Sequence, residues 1–306
     1  MHPRIPTDLQ PEDRNGIGIG LLVHLGPPTA LVAWLAVAGR TLPNLLLGFM
    51  ALSAVTLLAV YLLEHHRPAA CIEPPDRGAI AFGLVVAFVQ GIGIGGALVA
   101  GVWWLGTTVW PDSEVWSGWS AVLVLLALDD FAYYAIHRWL YHGRGRHPFL
   151  RWCRRVHARH HTVSHLDFLR GNVASFIDTA VSSFQIPLAL IAVLLGAGLV
   201  DTLIAYALVL MFQVTDHLNY TLNLGRLRHL FIDNHAHKLH HCKGGGRVNY
   251  AVVFAVWDHM FGSYHEDWRV SPSQMHRDGL SLKAAGIDPT PRPDAILGGQ
   301  VRRQLR

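Results

Sequence analysis

Charge is scarce in this sequence. Only 15% of its 306 residues are Asp, Glu, Lys or Arg, against 51% hydrophobic, and the mean hydropathy is +0.29. Soluble domains carry roughly a quarter charged residues, so the chain reads as several membrane spans plus an aqueous portion. Cysteine is nearly absent as well. Cys71, Cys153 and Cys242 form no CxxC pair and no disulfide framework, which suits free thiols facing a reducing compartment. Residues 1–16 are polar and no small-residue cleavage site follows a short apolar core, so no cleavable signal is expected. No glycine-rich loop follows a strand: GIGIGG at residues 91–96 lies inside an apolar run, where small residues let helices approach closely. Basic residues do outnumber acidic ones, giving a formal charge of +4. They cluster beside apolar spans, so anionic lipid head groups account for them and a nucleic-acid partner does not.

Apolar runs dominate the remainder. The first, residues 16–38, is interrupted by Pro27 and Pro28, which are expected to kink it. Further spans are read at 45–63, 80–105 and 120–136. A block at 173–214, broken by Pro187 and by GAG at 196–198, fits two spans or a re-entrant hairpin joined near Asp201. The expected fold is all-α, a polytopic membrane bundle of four to six spans. It divides into an N-terminal transmembrane region (1–118), a catalytic region (119–270) and a C-terminal tail (271–306). Eight arginines lie between His137 and Arg170, whereas residues 106–117 contain no basic residue. By the positive-inside rule the first stretch faces the cytoplasm, in a bacterial inner membrane or the endoplasmic reticulum.

On that same side the chain is rich in histidine. His157, His160 and His161 stand at i, i+3 and i+4, a spacing that shares one helical face, and His237, His240 and His241 repeat it. His137 and His142 precede the first triplet. Five residues apart, they would lie about 140° apart on an α-helix, so His142 must swing inward at a helix end near Gly143 and Gly145. His217 emerges from an apolar run at the same interface. So many imidazoles exceed the needs of one tetrahedral ion, and two adjacent metals are expected, iron by preference with zinc as a substitute. Isolated histidines read differently: His24 as a core residue, His65 and His66 as interfacial. Asp130 lies two helical turns before His137 in an apolar segment. There a carboxylate is expected to hold a ligand's second ring nitrogen. A metal pair at the mouth of an apolar bundle implies a substrate whose reactive part lies in the bilayer.

Four stretches carry a resemblance: DFAYYAIHRWLYH (130–142), HARHH (157–161), HKLHH (237–241) and NYAVVFAVWDHMFGSYHE (249–266). Together they resemble the fatty acid hydroxylase/sterol desaturase superfamily of membrane di-iron oxygenases. Ala251 and Ser263 stand where that family has Gly and Thr. The resemblance implies His137, His142, His157, His160, His161, His217, His237, His240 and His241 as metal ligands, and two irons per chain. It implies O2 as co-substrate, a lipid C–H bond as target, hydroxylation first and desaturation next. With no fused haem domain or dinucleotide fingerprint, a separate electron donor fed by NAD(P)H is implied. One family ligand position falls on Gln213, and water, the Gln213 carbonyl or His235 would have to fill it. Trp257, Asp258 and Gly262 match the signature as packing residues; His259 and His265 match no ligand position.

Two other classes are weighed against this one. A metal transport or storage protein would need ionisable groups continuing through the spans, and few are present. A zinc hydrolase would need fewer histidines and usually a carboxylate base beside them.

Overall fold

The computed structural model describes residues 12–66, 85, 88–110, 116–158, 160–162, 167–171, 178, 185–220, 222–241 and 247–265. The expected tail at 271–306, Cys71, Cys242 and Arg159 lie outside them. Described segments are almost wholly helical, and strand pairing among them is limited to two isolated bridges.

Helices α1 (Glu12–His24) and α2 (Gly26–Ala38) are one apolar run bent by 47°. The bend falls where expected: Pro27 and Pro28 lie in the first turn of α2, where their missing N–H groups leave no intrahelical bond unmade. Helix α3 (Leu42–His66) returns alongside α2. A π-helical stretch (Phe88–Gly95) leads into α4 (Gly96–Val109), and α5 (Trp119–Ala135) continues into a π-helical turn (Ile136–Tyr141). Three helical runs are long and apolar enough to cross a bilayer, Leu42–His66, Gly91–Val109 and Trp119–Tyr141, and the bent pair makes up to four. The block at 173–214 gives two shorter helices, α7 (Ile186–Leu195) and α8 (Leu199–Gln213), with α6 (Pro148–Ala158) preceding them. Their break falls at residues 196–198, and Gly196 takes a left-handed conformation (φ 66°) that a Cβ would disfavour.

That hairpin packs against α4 and α5. Leu125, Leu188, Ile204 and Val209 are fully buried within its core, while Leu47, Val55 and Leu58 on α3 face outward as lipid-exposed surface would. Gly95 shows why the glycine run is needed. A Cβ there would meet the Tyr206 hydroxyl at 2.0 Å, and that hydroxyl donates to the Gly91 carbonyl at 2.8 Å. At the hairpin tip, Asp201 pairs with Arg40 and accepts the Gly118 N–H at 3.0 Å, while Trp116 exchanges backbone bonds with Gly196 and Gly198. The tip therefore meets the ends of α2 and α5 remote from the histidines. At the opposite end lie α9 (Asn234–His241) and α10 (Val256–Met260), and the described residues 247–255 between them form a loop that covers the site through the Val248 and Tyr250 carbonyls on His240 and His137.

Candidate metal centre

Nine imidazoles converge in two groups. The first is His137, His142, His157, His161 and His240; the second is His160, His217, His237 and His241. Within each group one ring nitrogen per residue lies within 4.8 Å of all the others. The groups adjoin, since the His161 and His241 rings stack at 4.5 Å and the His160 and His241 rings lie 4.6 Å apart. Each triplet is divided between them. His157 and His161 go to the first group and His160 to the second; His237 and His241 go to the second and His240 to the first. The i, i+4 pair stays together because it diverges by only about 40° on a helix, whereas i+3 lies on the other side of the seam.

His142 reaches the first group through the π-helical turn. Its N–H bonds the His137 carbonyl at 3.0 Å, an i to i+5 closure that widens the turn and carries both rings to one side. Just past the turn Gly143 approaches the preceding residues too closely for a side chain: a Cβ would meet the Trp139 carbonyl oxygen at 2.0 Å.

The outer nitrogens are held by groups that fix the tautomer. Nδ1 of His137 donates to the Tyr250 carbonyl at 2.7 Å, Nδ1 of His240 to the Val248 carbonyl at 2.8 Å, and Nδ1 of His157 to Asp178 at 3.2 Å. Each leaves Nε2 with a bare lone pair. His137 and His157 bring theirs within 3.1 Å of each other with no proton to share. In the second group the Nε2 atoms of His217, His237 and His241 lie 3.0–3.1 Å from one another, and in the first His142 Nε2 is buried without any hydrogen bond. Facing lone pairs and an orphaned nitrogen are what a cation would satisfy, so the residues fit metal binding. Burial, and then repulsion among neighbouring imidazoles, pushes His161, His217, His237, His240 and His241 well below the usual histidine range, and His142 down to about 3. At neutral pH these rings are unprotonated, the form that binds a metal.

Asp130 does not do what its position suggests. Its two oxygens accept the Val253 N–H (2.9 Å), the Phe254 N–H (2.8 Å) and the Trp257 indole N–H (2.9 Å), and no histidine. Two turns of helix bring it close to His137 along the axis but leave it facing α10. The carboxylate on a ligating-type ring is Asp178, which sequence reasoning passed over. The available signal was an acid inside the apolar block at 173–214. Asp258 completes the covering loop. It accepts the Tyr250 and Ala251 N–H groups, each at 2.9 Å, and the Ser263 hydroxyl at 2.7 Å. Ser263 thus keeps the hydroxyl that the family's Thr would supply. Asn249, at φ 52°, uses its side chain to join the Ala236 and His265 carbonyls.

Other residues fall outside the groups. His24 is fully buried and bonds Thr215 at 2.6 Å, as a core histidine does. His65 and His66 end α3, exposed; His259 stacks on Tyr264 at 4.0 Å. His235 joins neither group.

An α-helical membrane bundle that closes nine histidines over one end is a narrow class. Residues 122–263 match the fatty acid hydroxylase family model. The ornithine lipid hydroxylase OlsE of Rhizobium tropici is 32% identical over 180 residues, 58% of this chain and 50% of that protein. The chain thus spans about half the length of the curated relative it matches. No solved structure matches.

Proposed function

We propose that the protein is a membrane di-iron oxygenase that hydroxylates a C–H bond of a lipid. The observation that carries this is the pair of adjoining, buried, all-imidazole groups at the end of an apolar bundle. Imidazole without thiolate suits redox-active iron, and two irons bound there would supply the O2 chemistry that converts C–H to C–OH. The balance needs two electrons and two protons from an outside donor, with water as the second product. The nine histidines would hold the metals. Tyr250, Val248 and Asp178 orient three rings, and the apolar bundle brings the lipid while burial excludes water. The relative's name makes an amine-bearing acyl lipid the first substrate to try. Desaturation would use the same site with a different substrate placement.

The test is metal analysis of purified protein together with mass spectrometry of lipids from cells with and without it. Two irons per chain and a lipid heavier by one oxygen are expected. Stoichiometric zinc with no oxygenated product would overturn the proposal in favour of a hydrolase. Bound metal with no lipid change under reducing, aerobic conditions would favour storage or transport.

A further inference from the structure

Helix α6 has a face that the metal centre does not use. Its inward side carries Leu150, Cys153 and His157, and the Arg154 guanidinium reaches back to the Gly143 carbonyl just past the end of the α5 run. The His157 ring also stacks on Tyr141 at 4.7 Å. These contacts pin α6 beside the end of a membrane-spanning helix, at the depth where that helix leaves the hydrocarbon. Stepping 100° per residue around α6, the exposed positions divide into two adjoining sectors. One sector holds Phe149 and Trp152, 51% and 43% exposed, with rings 6.0 Å apart. The adjoining sector holds Arg151 and Arg155, both exposed, and exposed Arg144 and Arg146 lie in the approach to the helix. Among the described residues none of these four arginines is in an ion pair.

We propose that this face lies in an anionic lipid head-group layer, with Phe149 and Trp152 at the acyl boundary and the four arginines on phosphates. An acidic protein would match the arginines but leave two large aromatic rings in water beside them. A bilayer surface takes both sectors, and half-exposed Trp139 at the end of the same span continues the aromatic edge. Helix α6 also carries His157 on its other side, so lipid contact and the histidine groups share one element. The surface assignment stands independently of which metal the histidines hold.

The experiment places the photoreactive residue p-benzoylphenylalanine at position 152 of the full chain. The protein is reconstituted in nanodiscs of phosphatidylcholine containing or lacking phosphatidylglycerol. Irradiation should give lipid adducts at position 152, with phosphatidylglycerol over-represented relative to its share. Each surface arginine contributes about fivefold to such a preference, so R151E combined with R155E should abolish it while adducts to phosphatidylcholine persist. Absence of lipid adducts at position 152 overturns the proposal, as does capture of added acidic ferredoxin in their place. Adducts with no preference, in both the parent and the arginine variants, overturn the head-group assignment. Both arginines point outward, so the variants should retain the parent's helical circular dichroism; the lipid dependence of the parent alone gives a second readout.

Discussion

At the residue scale, the site separates side chains that face the centre from those that hold its frame. His160→Ala or His240→Ala is expected to abolish turnover and lower bound metal, one substitution striking each group. His24→Ala should leave metal content near the parent's while costing about 2 kcal/mol of stability, since it removes a buried ring and its bond to Thr215. Thermal unfolding and metal analysis on the same samples check both. The two aspartates should part in a similar way. Asp178→Asn loosens one ring's tautomer and should lower metal affinity or rate about 10- to 100-fold with little loss of fold. Asp130→Asn presents an amide N–H to donors that need an acceptor and should chiefly destabilise the covering loop, read as faster proteolysis around residues 250–258. Equal metal loss without loop exposure in both variants would contradict this division. The nine converging histidines were legible as candidates because the spacing within each triplet is local. Asp130 misled because distance along an axis says nothing about azimuth, and Asp178 escaped because its partner is 21 residues away.

At the scale of elements, the turn after α5 is where a regular reading falls short. On an α-helix His137 and His142 diverge, and only a wider turn reconciles them; no residue in IHRWLY announces it. Gly143 is the visible trace. Gly143→Ala would force the Trp139 carbonyl aside, whereas Gly145→Ala would meet only the tip of the flexible Leu150 side chain. The first is expected to lower metal occupancy severalfold and the second to leave it near the parent's, by metal analysis of the two proteins side by side. The proline bend, the glycine run and the break at 196–198 were readable, each being local backbone chemistry. That the α7–α8 tip would pair with Arg40 and Trp116 was not, because long-range partners leave no periodicity.

At the scale of the molecule, the histidine groups and the hairpin tip occupy opposite ends, and from the arginine bias we propose that the histidines face the cytoplasm. Single cysteines at positions 146 and 112, the latter outside the described residues, should react with an impermeant maleimide from opposite faces of sealed vesicles. Reaction of both from one face would overturn the topology. Acid should expose the concentration of buried neutral imidazoles. Their folded-state pKa values are depressed below the unfolded value of about 6.5. The metal-free protein is therefore unpenalised above that pH and loses stability as pH falls below it. A thermal midpoint of the metal-free protein that is flat from pH 5 to pH 8 would contradict the burial of neutral rings.

The bond from His137 to the Tyr250 carbonyl joins residues 113 apart, and the Asp130 clasp reaches residues later still. A nascent chain inserts α5 long before the segment that orients its histidine has left the ribosome. Metal acquisition is thus expected to be a late step of biogenesis: a polypeptide stalled after the second triplet carries every histidine of both groups and yet lacks the Val248 and Tyr250 carbonyls that aim two of them.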